Sequence, residues 1–395
     1  MSVRASLVFW PAGLLLLALG PGQPAAADAG LALVNGTLVD GTGAAPVEQA
    51  VVLIEGGRLR AAGPGATIVI PTDFRVVDVS GAFILPGFIN AHVHNAFDEA
   101  RLQAWAQAGV TTVRDEGIMG TSLPLADLMA LRQTLAASPR NSRLVSAGYM
   151  ITAPDGYGSL EVTSPEDARQ KVNWQLDQGV DLVKVALETG YGAWRNLPIP
   201  TDEELRAVVA AAHERERLVS AHVTQAQYFT QAVLAGVDDA AHVPGDPVPD
   251  WAIQWMVASG VHLVPTLTVL EAYGALTPAS QNLRRMAAAG VVVALGNDYT
   301  AIPQNAFDHF ELGMPMHEIT RMAQSGMSPM QIVIAATRDA AHVSGLDGDL
   351  GTLEAGKIAD VLVVNGNPLA DLSALTDVRM VIHGGEVIRP TDWTP

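Results

Sequence analysis

Between residues 85 and 346, short apolar runs alternate with longer stretches whose apolar positions recur at helical spacing. The runs are GFINAHVH, VTTVRDE, LVSAGYMI, LVKVAL, LVSAHV, AAHV, HLVPTLT and VVVALGND. Short apolar runs of this kind read as buried strands. Stretches such as EELRAVVAAAHERER, apolar on one face and charged on the other, read as amphipathic helices. The helix starts are marked. Thr201 with Glu204 predicts a capping box. Ser164-Pro165 and Ser328-Pro329 place a cap before a proline at the first helical position, and Gln331 completes a second box. Strands alternating with helices in this way predict an α/β fold, a (β/α)8 TIM-like barrel spanning residues 85–346. No solenoid repeat or low-complexity tract interrupts it.

The pattern changes at both ends. Residues 28–84 (LALVNGTLVDGTG, VVLIEGGRLRAAG) and 347–395 (GTLEAGKIADVLVVNGNP, VRMVIHGGEVI) carry apolar runs bounded by Asn-Gly, Asp-Gly and Gly-Gly turn signals. They predict one small β-sandwich built from both chain ends, with the barrel inserted between its halves. Residues 1–27 follow a third pattern. Arg4 precedes an apolar stretch from Leu7 to Leu19 that is broken by Pro11, and Ala25-Ala26-Ala27 supplies small residues for cleavage. This predicts a signal peptide cut near Ala27 or Ala29 and export to a periplasm or the medium. The stretch is too short and interrupted to serve as a stable membrane anchor.

Composition narrows the chemistry. The chain is 395 residues long, 49% hydrophobic and 16% charged, which fits a globular enzyme-sized protein. Its net charge of −18 argues against nucleic acid or an anionic membrane as partner. With no cysteine, disulfides, thiolate metal sites and a cysteine nucleophile are excluded. Any metal must be held by imidazole and oxygen.

In a barrel, reactive groups gather at the C-terminal ends of the strands. The first run ends in His92 and His94, two apart and therefore on one face. The fourth carries Lys184, the fifth His222, the sixth His242, and the eighth ends in Asp298. Each has an ordinary reading: a strand-end histidine satisfied by a neighbour, or an aspartate that terminates a strand. Lys184 is the hardest to dismiss, because alternation in DLVKVAL sets an amine inside a buried strand. Six such groups at matching depths point jointly to one metal site. His213, His317, His342 and His383 align with no strand tip, His262 lies at the wrong end of its strand, and His309 falls in a loop.

These residues, with the flanks LPGFINA, GVTTVRDEG, SGMSPMQIVIAATRDAA and GTLEAGKIADVLVVNGNPL, resemble the amidohydrolase superfamily. Within it the chain looks most like imidazolonepropionase-like proteins and prolidase-type metal-dependent dipeptidases. The resemblance implies two divalent metal ions, with zinc favoured. His92, His94 and Asp298 would bind one and His222 and His242 the other, with a carbamylated Lys184 bridging both. It implies hydrolysis of an amide (C–N) bond in a small molecule, such as a dipeptide or N-acyl amino acid, by a metal-bridging hydroxide, with Asp298 as the proton carrier. Two positions depart from the family pattern. Asn90 stands where an Asp is usual, and Tyr157, in APDGYGS, stands where a His is usual. Tyr157 and Tyr228 are the candidate substrate contacts, among loop residues that also include Tyr191, Trp194, Arg195 and Tyr299. A mononuclear deaminase or cyclic-amide hydrolase with Lys184 merely paired, a lactonase or esterase, and a non-catalytic scaffold are the alternatives. Self-association of the chain is left open.

Overall fold

The computed structural model describes residues 30–118, 123–190, 196–300 and 309–389. The leader expected over residues 1–27, and Tyr191, Trp194 and Arg195, lie outside the described residues. No helix among the described residues is long and apolar enough to cross a membrane.

The fold is mixed α/β. The first three expected strands form at Phe88–Val93, Val110–Asp115 and Arg143–Ser146 and pair in parallel as one sheet. The next four form at Val183–Ala186, Val219–His222, Asp239–Ala241 and His262–Val264. They lie in parallel in a second sheet that the short strands Leu160–Glu161 and Ile151–Thr152 begin. Helices return the chain between strands, as the sequence pattern requires. The Asp202–His213 helix opens on the Thr201–Glu204 capping box and the Pro329–Ala336 helix on the Ser328–Gln331 box. Ser164 caps the Pro165–Asp177 helix. Apolar faces of these helices join Val183, Val185, Val219, Ala221 and Leu263 in one core.

The expected closed barrel is not formed as a continuous ladder. The eighth run, residues 291–299, is not a strand. Two isolated parallel bridges, Leu263↔Val293 and Val93↔Tyr299, attach it to the seventh and first strands. Hydrogen bonds from Ala294 N to Leu263 O (2.8 Å), Ala91 N to Leu295 O (2.7 Å) and Asp298 N to His92 O (2.9 Å) follow the same path. The third and fourth strands are joined by Asp181 N to Ser146 O at 2.9 Å. Two residues mark the break at the eighth position. Asp298 has φ 54, in the left-handed region that a strand cannot use. Gly296 presses so close to the first strand that a Cβ there would lie 2.7 Å from His92 Cβ.

The two chain ends come together as expected of neighbours in one module. Their described strands are hydrogen-bonded into one eight-stranded sheet. Val378–His383 and Glu386–Arg389 extend it from one side through Val361–Asn365, which pairs with Ala82–Pro86 next to Leu31–Leu38. Alternation along Leu31–Leu38 is clear: Leu31 and Leu33 enter one apolar cluster, Ala32 and Val34 another. Gly56-Gly57 turns a hairpin between Val47–Glu55 and Arg58–Pro64. Asn35-Gly36 does not. The strand runs through it as a bulge, with Asn35 at φ 66 and its side chain donating to Asp78 at 3.0 Å.

Candidate metal centre

Register aligns the chemistry before any side chain is considered. Lys184 pairs with Ser220, Ala186 with His222, and His222 with Ala241, the residue before His242. The strand ends therefore lie level. The segment after residue 296 runs beside the first strand, where Asp298 N donates to His92 O and His94 N donates to Tyr299 O at 2.7 Å. Asn90 ties the same two segments, donating to Asn297 Oδ1 at 2.7 Å.

Two donor groups result. In the first, Asp298 Oδ1 lies 3.3 Å from His92 Nε2 and 3.2 Å from His94 Nε2, and those two nitrogens are 3.4 Å apart. His94 Nδ1 donates to Gly117 O at 2.8 Å, so its Nε2 carries the lone pair. These three groups are close enough together to hold one metal ion. In the second, His222 Nδ1 and His242 Nε2 face each other at 3.0 Å. His222 Nε2 reaches the carboxylate of Glu188 at 3.3 Å and is its donor. His242 Nδ1 is bonded to Thr266 Oγ, whose own hydrogen goes to Pro265 O at 2.8 Å. Both outer nitrogens thus carry hydrogens, and two lone pairs point at one another. Such an arrangement calls for a cation between them, and neutral imidazole is the ligating form. The two groups adjoin: His92 and His242 stack at 4.9 Å, and His242 Nδ1 is 4.0 Å from Asp298 Oδ2.

Electrostatics favour neutral imidazoles. Burial, then the nearby Lys184 charge, pushes His92 well below the usual imidazole range; burial and neighbouring His222 do the same to His242. Burial also lowers His222, against the pull of Glu188. His94 is the exception. Burial would lower it, but the hydrogen bond and charge of Asp298 outweigh that and raise it.

Lys184 is buried, as its strand position requires, and its Nζ is bonded to Glu116 Oε2. Glu116 also accepts from Ser220 Oγ at 2.7 Å and pairs with Arg114 at 2.8 Å, and Arg114 is held by Asp239 at 2.8 Å. Burial would raise the Glu116 carboxyl; the Arg114 and Lys184 charges outweigh it and hold it below its ordinary value. The amine therefore sits in a buried ionic layer beneath the histidines. The tyrosines separate. Tyr157 lies over His222, with ring centroids 4.8 Å apart. Tyr228, on the Ala226–Ala235 helix, packs against the hydrophobic core.

Glu116, Glu188 and Thr266 were not singled out from the sequence. The first had a signal: Arg-Asp-Glu closing an apolar strand puts three charges where burial demands partners. Glu188 and Thr266 stand in loops beyond strand ends, where polar residues are ordinary. His213 bonds to Asp238 (2.9 Å), His342 to Asp347 (3.0 Å) and His383 to Pro139 O (2.8 Å), all away from this centre.

Level strand ends on a mixed α/β fold thus present imidazoles and a carboxylate as a candidate metal centre. The profile described as "Amidohydrolase family" matches residues 83–388, and the chain belongs to that family. It is 28% identical over 292 residues to an ochratoxinase of Aspergillus niger, covering 66% of this chain and 58% of that protein. It is 25% identical over 370 residues to an imidazolonepropionase of Symbiobacterium thermophilum, covering 82% and 85%. In fold it is similar to a crystal structure of a Xaa-Pro dipeptidase with methionine in the active site. That match has a TM-score of 0.78 and 23% identity, and covers 91% of this chain and 99% of the other.

Proposed function

We propose that this enzyme hydrolyses an amide bond of a small molecule, such as a dipeptide or N-acyl amino acid, with the help of two divalent cations. The observation that carries this is the pair of converging donor sets: His92, His94 and Asp298 on one side, and the facing lone pairs of His222 Nδ1 and His242 Nε2 on the other. Imidazole nitrogen and carboxylate oxygen suit zinc. When bound, such ions supply a polarised carbonyl and a water acidic enough to lose its proton near neutral pH. Asp298 takes that proton and returns it to the departing nitrogen. Tyr157, over His222, bounds the space a substrate would enter. Lys184 would bridge after reaction with carbon dioxide, its amine first giving up a proton and leaving Glu116. The names of the dipeptidase and the ochratoxinase support a hydrolytic reading, and the dipeptidase supports a peptide-like substrate.

One observation favours a second reading. Lys184 is already paired with Glu116, and an amine that stays so makes no bridge. The enzyme would then hold one cation at His92, His94 and Asp298 and suit a deaminase or cyclic-amide hydrolase. Elemental analysis of purified protein separates the two: near two equivalents per chain supports the first, near one the second. A screen of metal-replete protein against dipeptides, N-acyl amino acids, lactones and cyclic amides tests the substrate class. Lys184→Ala is the control, and undiminished activity in it would refute the bridged centre. Export remains part of the proposal; a mature N-terminus found near Ala27 or Ala29 in secreted protein supports it.

A further inference from the structure

Glu318 is fully buried in the first turn of the Met316–Gln324 helix, in neither donor set. Its carboxylate reaches across to another element. Oε1 accepts from Leu267 N at 2.8 Å, and Oε2 accepts from Thr268 N and Thr268 Oγ, each at 2.7 Å. Those donors open the Leu267–Ala272 helix, whose first N–H groups have no partner within the helix. The residue just before it is Thr266, at φ 47 and ψ 49. A β-branched residue holds that left-handed conformation only where its surroundings impose it. Thr266 Oγ gives its hydrogen to Pro265 O and so has only lone pairs left for His242 Nδ1–H. That bond fixes the tautomer of His242 and leaves Nε2 bare, facing His222 Nδ1 at 3.0 Å.

We infer that Glu318 is a positioning residue for His242: by clamping the start of the Leu267–Ala272 helix it holds Thr266 in the conformation that aims His242 Nε2 into the second donor set. The inference rests on His242 being a metal ligand, as proposed above. A separate clamp joins the same two helices further along. Glu271 bonds to His317 Nε2 at 2.7 Å and to Arg321 Nε at 2.8 Å. It does not touch Thr266, so it serves as a control for mere docking of the helices.

The test titrates cobalt(II) alone into metal-free wild type, Glu318→Gln, Thr266→Val, the double variant and Glu271→Gln, with chelator competition and thermal melts. Glu318→Gln keeps the shape but turns an amide N–H₂ toward N–H donors. It should weaken the second binding step about tenfold or more and leave the first unchanged. Thr266→Val should do the same, and the double variant should be no worse than Thr266→Val alone, since both act through one path. Glu271→Gln should lower the melting temperature with both steps intact. Wild-type affinities in Glu318→Gln, equal weakening of both steps, or losses that multiply in the double variant would overturn the inference. Thr268→Val removes one of the three bonds and should weaken the second step severalfold. No change in it overturns the inference even where Glu318→Gln does not fold. A wild type that takes up one cation instead overturns the two-cation reading on which the inference stands.

Discussion

Asp298 combines a left-handed backbone at φ 54 with a carboxylate that meets two imbalanced imidazoles, one raised in basicity and one lowered. Backbone strain of this kind, at on the order of 1–3 kcal/mol, persists where the surroundings over-determine it; here the bonds to His92 O and from Asn90 to Asn297 do so. Asp298→Asn retains one oxygen for the first donor set but cannot carry a proton. It should lower kcat by about 10²–10⁴-fold while most of the metal stays bound. Parallel kinetics and elemental analysis check this, and metal lost in step with activity would make the residue a ligand and no more. Glu116 is the other residue whose loss should be read cleanly. It is buried against Lys184 and Arg114, and removing one partner of a buried ionic group leaves an uncompensated charge. Glu116→Gln should therefore cost about 3–5 kcal/mol of stability, visible as a lower denaturant midpoint at unchanged slope. A variant as stable as wild type would mean that the pair does not persist in solution.

Among the elements, the segment after the seventh strand is the one that brings Asp298 beside His92 and His94. At Gly296 a methyl group would stand 2.5 Å from Val264 Cγ1 and 2.9 Å from His92 N. Gly296→Ala should push the Asp298 segment off the first strand, and its metal content should fall along with its melting temperature; full wild-type metal content would refute this. The Glu318 clamp gives a pH signature. Burial raises its carboxyl from 4.5 to about 7, with its hydrogen bonds opposing and Asp298 adding to the rise. The folded state thus binds this proton more tightly than the unfolded chain, so the contribution of Glu318 to stability is fully present below pH 4.5 and is lost as pH climbs through 7. At about 1.4 kcal/mol per unit the loss is on the order of 3 kcal/mol. Melts of metal-free protein from pH 5 to 8 should show a steeper decline in wild type than in Glu318→Gln; parallel slopes would exclude the effect. These elements also show what could be read in advance. The strand-end positions of His92, His94, His222 and His242, and the buried place of Lys184 two residues deeper, follow from two-residue alternation in short apolar runs, a local property. That 291–299 would bend instead of closing the ladder, that Asn35-Gly36 would bulge, and that Glu116, Glu188 and Thr266 would meet those residues depends on partners 24 to 207 positions away, which no local pattern contains.

Over the whole molecule, the sheet from the two chain ends and the parallel strands that carry the centre meet at the strands' starting ends, away from the histidines. Asp360, just before Val361–Asn365, makes that joint. Its Oδ2 pairs with Arg143 at 2.9 Å at the start of the third strand, its Oδ1 accepts from Gly384 N at 2.8 Å, and its carbonyl accepts from Gly87 N at 2.9 Å beside the first strand. The group is buried, so its removal leaves Gly384 N without its acceptor and Arg143 without its counter-ion. Asp360→Ala should then cost roughly 2–4 kcal/mol by those two losses together. Because His92 and His94 lie at the other end of the strand that Gly87 precedes, the folded fraction should keep its metal and its kcat. Melting temperature measured beside metal content and turnover per folded chain checks the separation. A fall in turnover per folded chain would show that the joint transmits strain along the first strand to the centre, and that the sheet from the chain ends is part of the catalytic frame instead of a support beneath it.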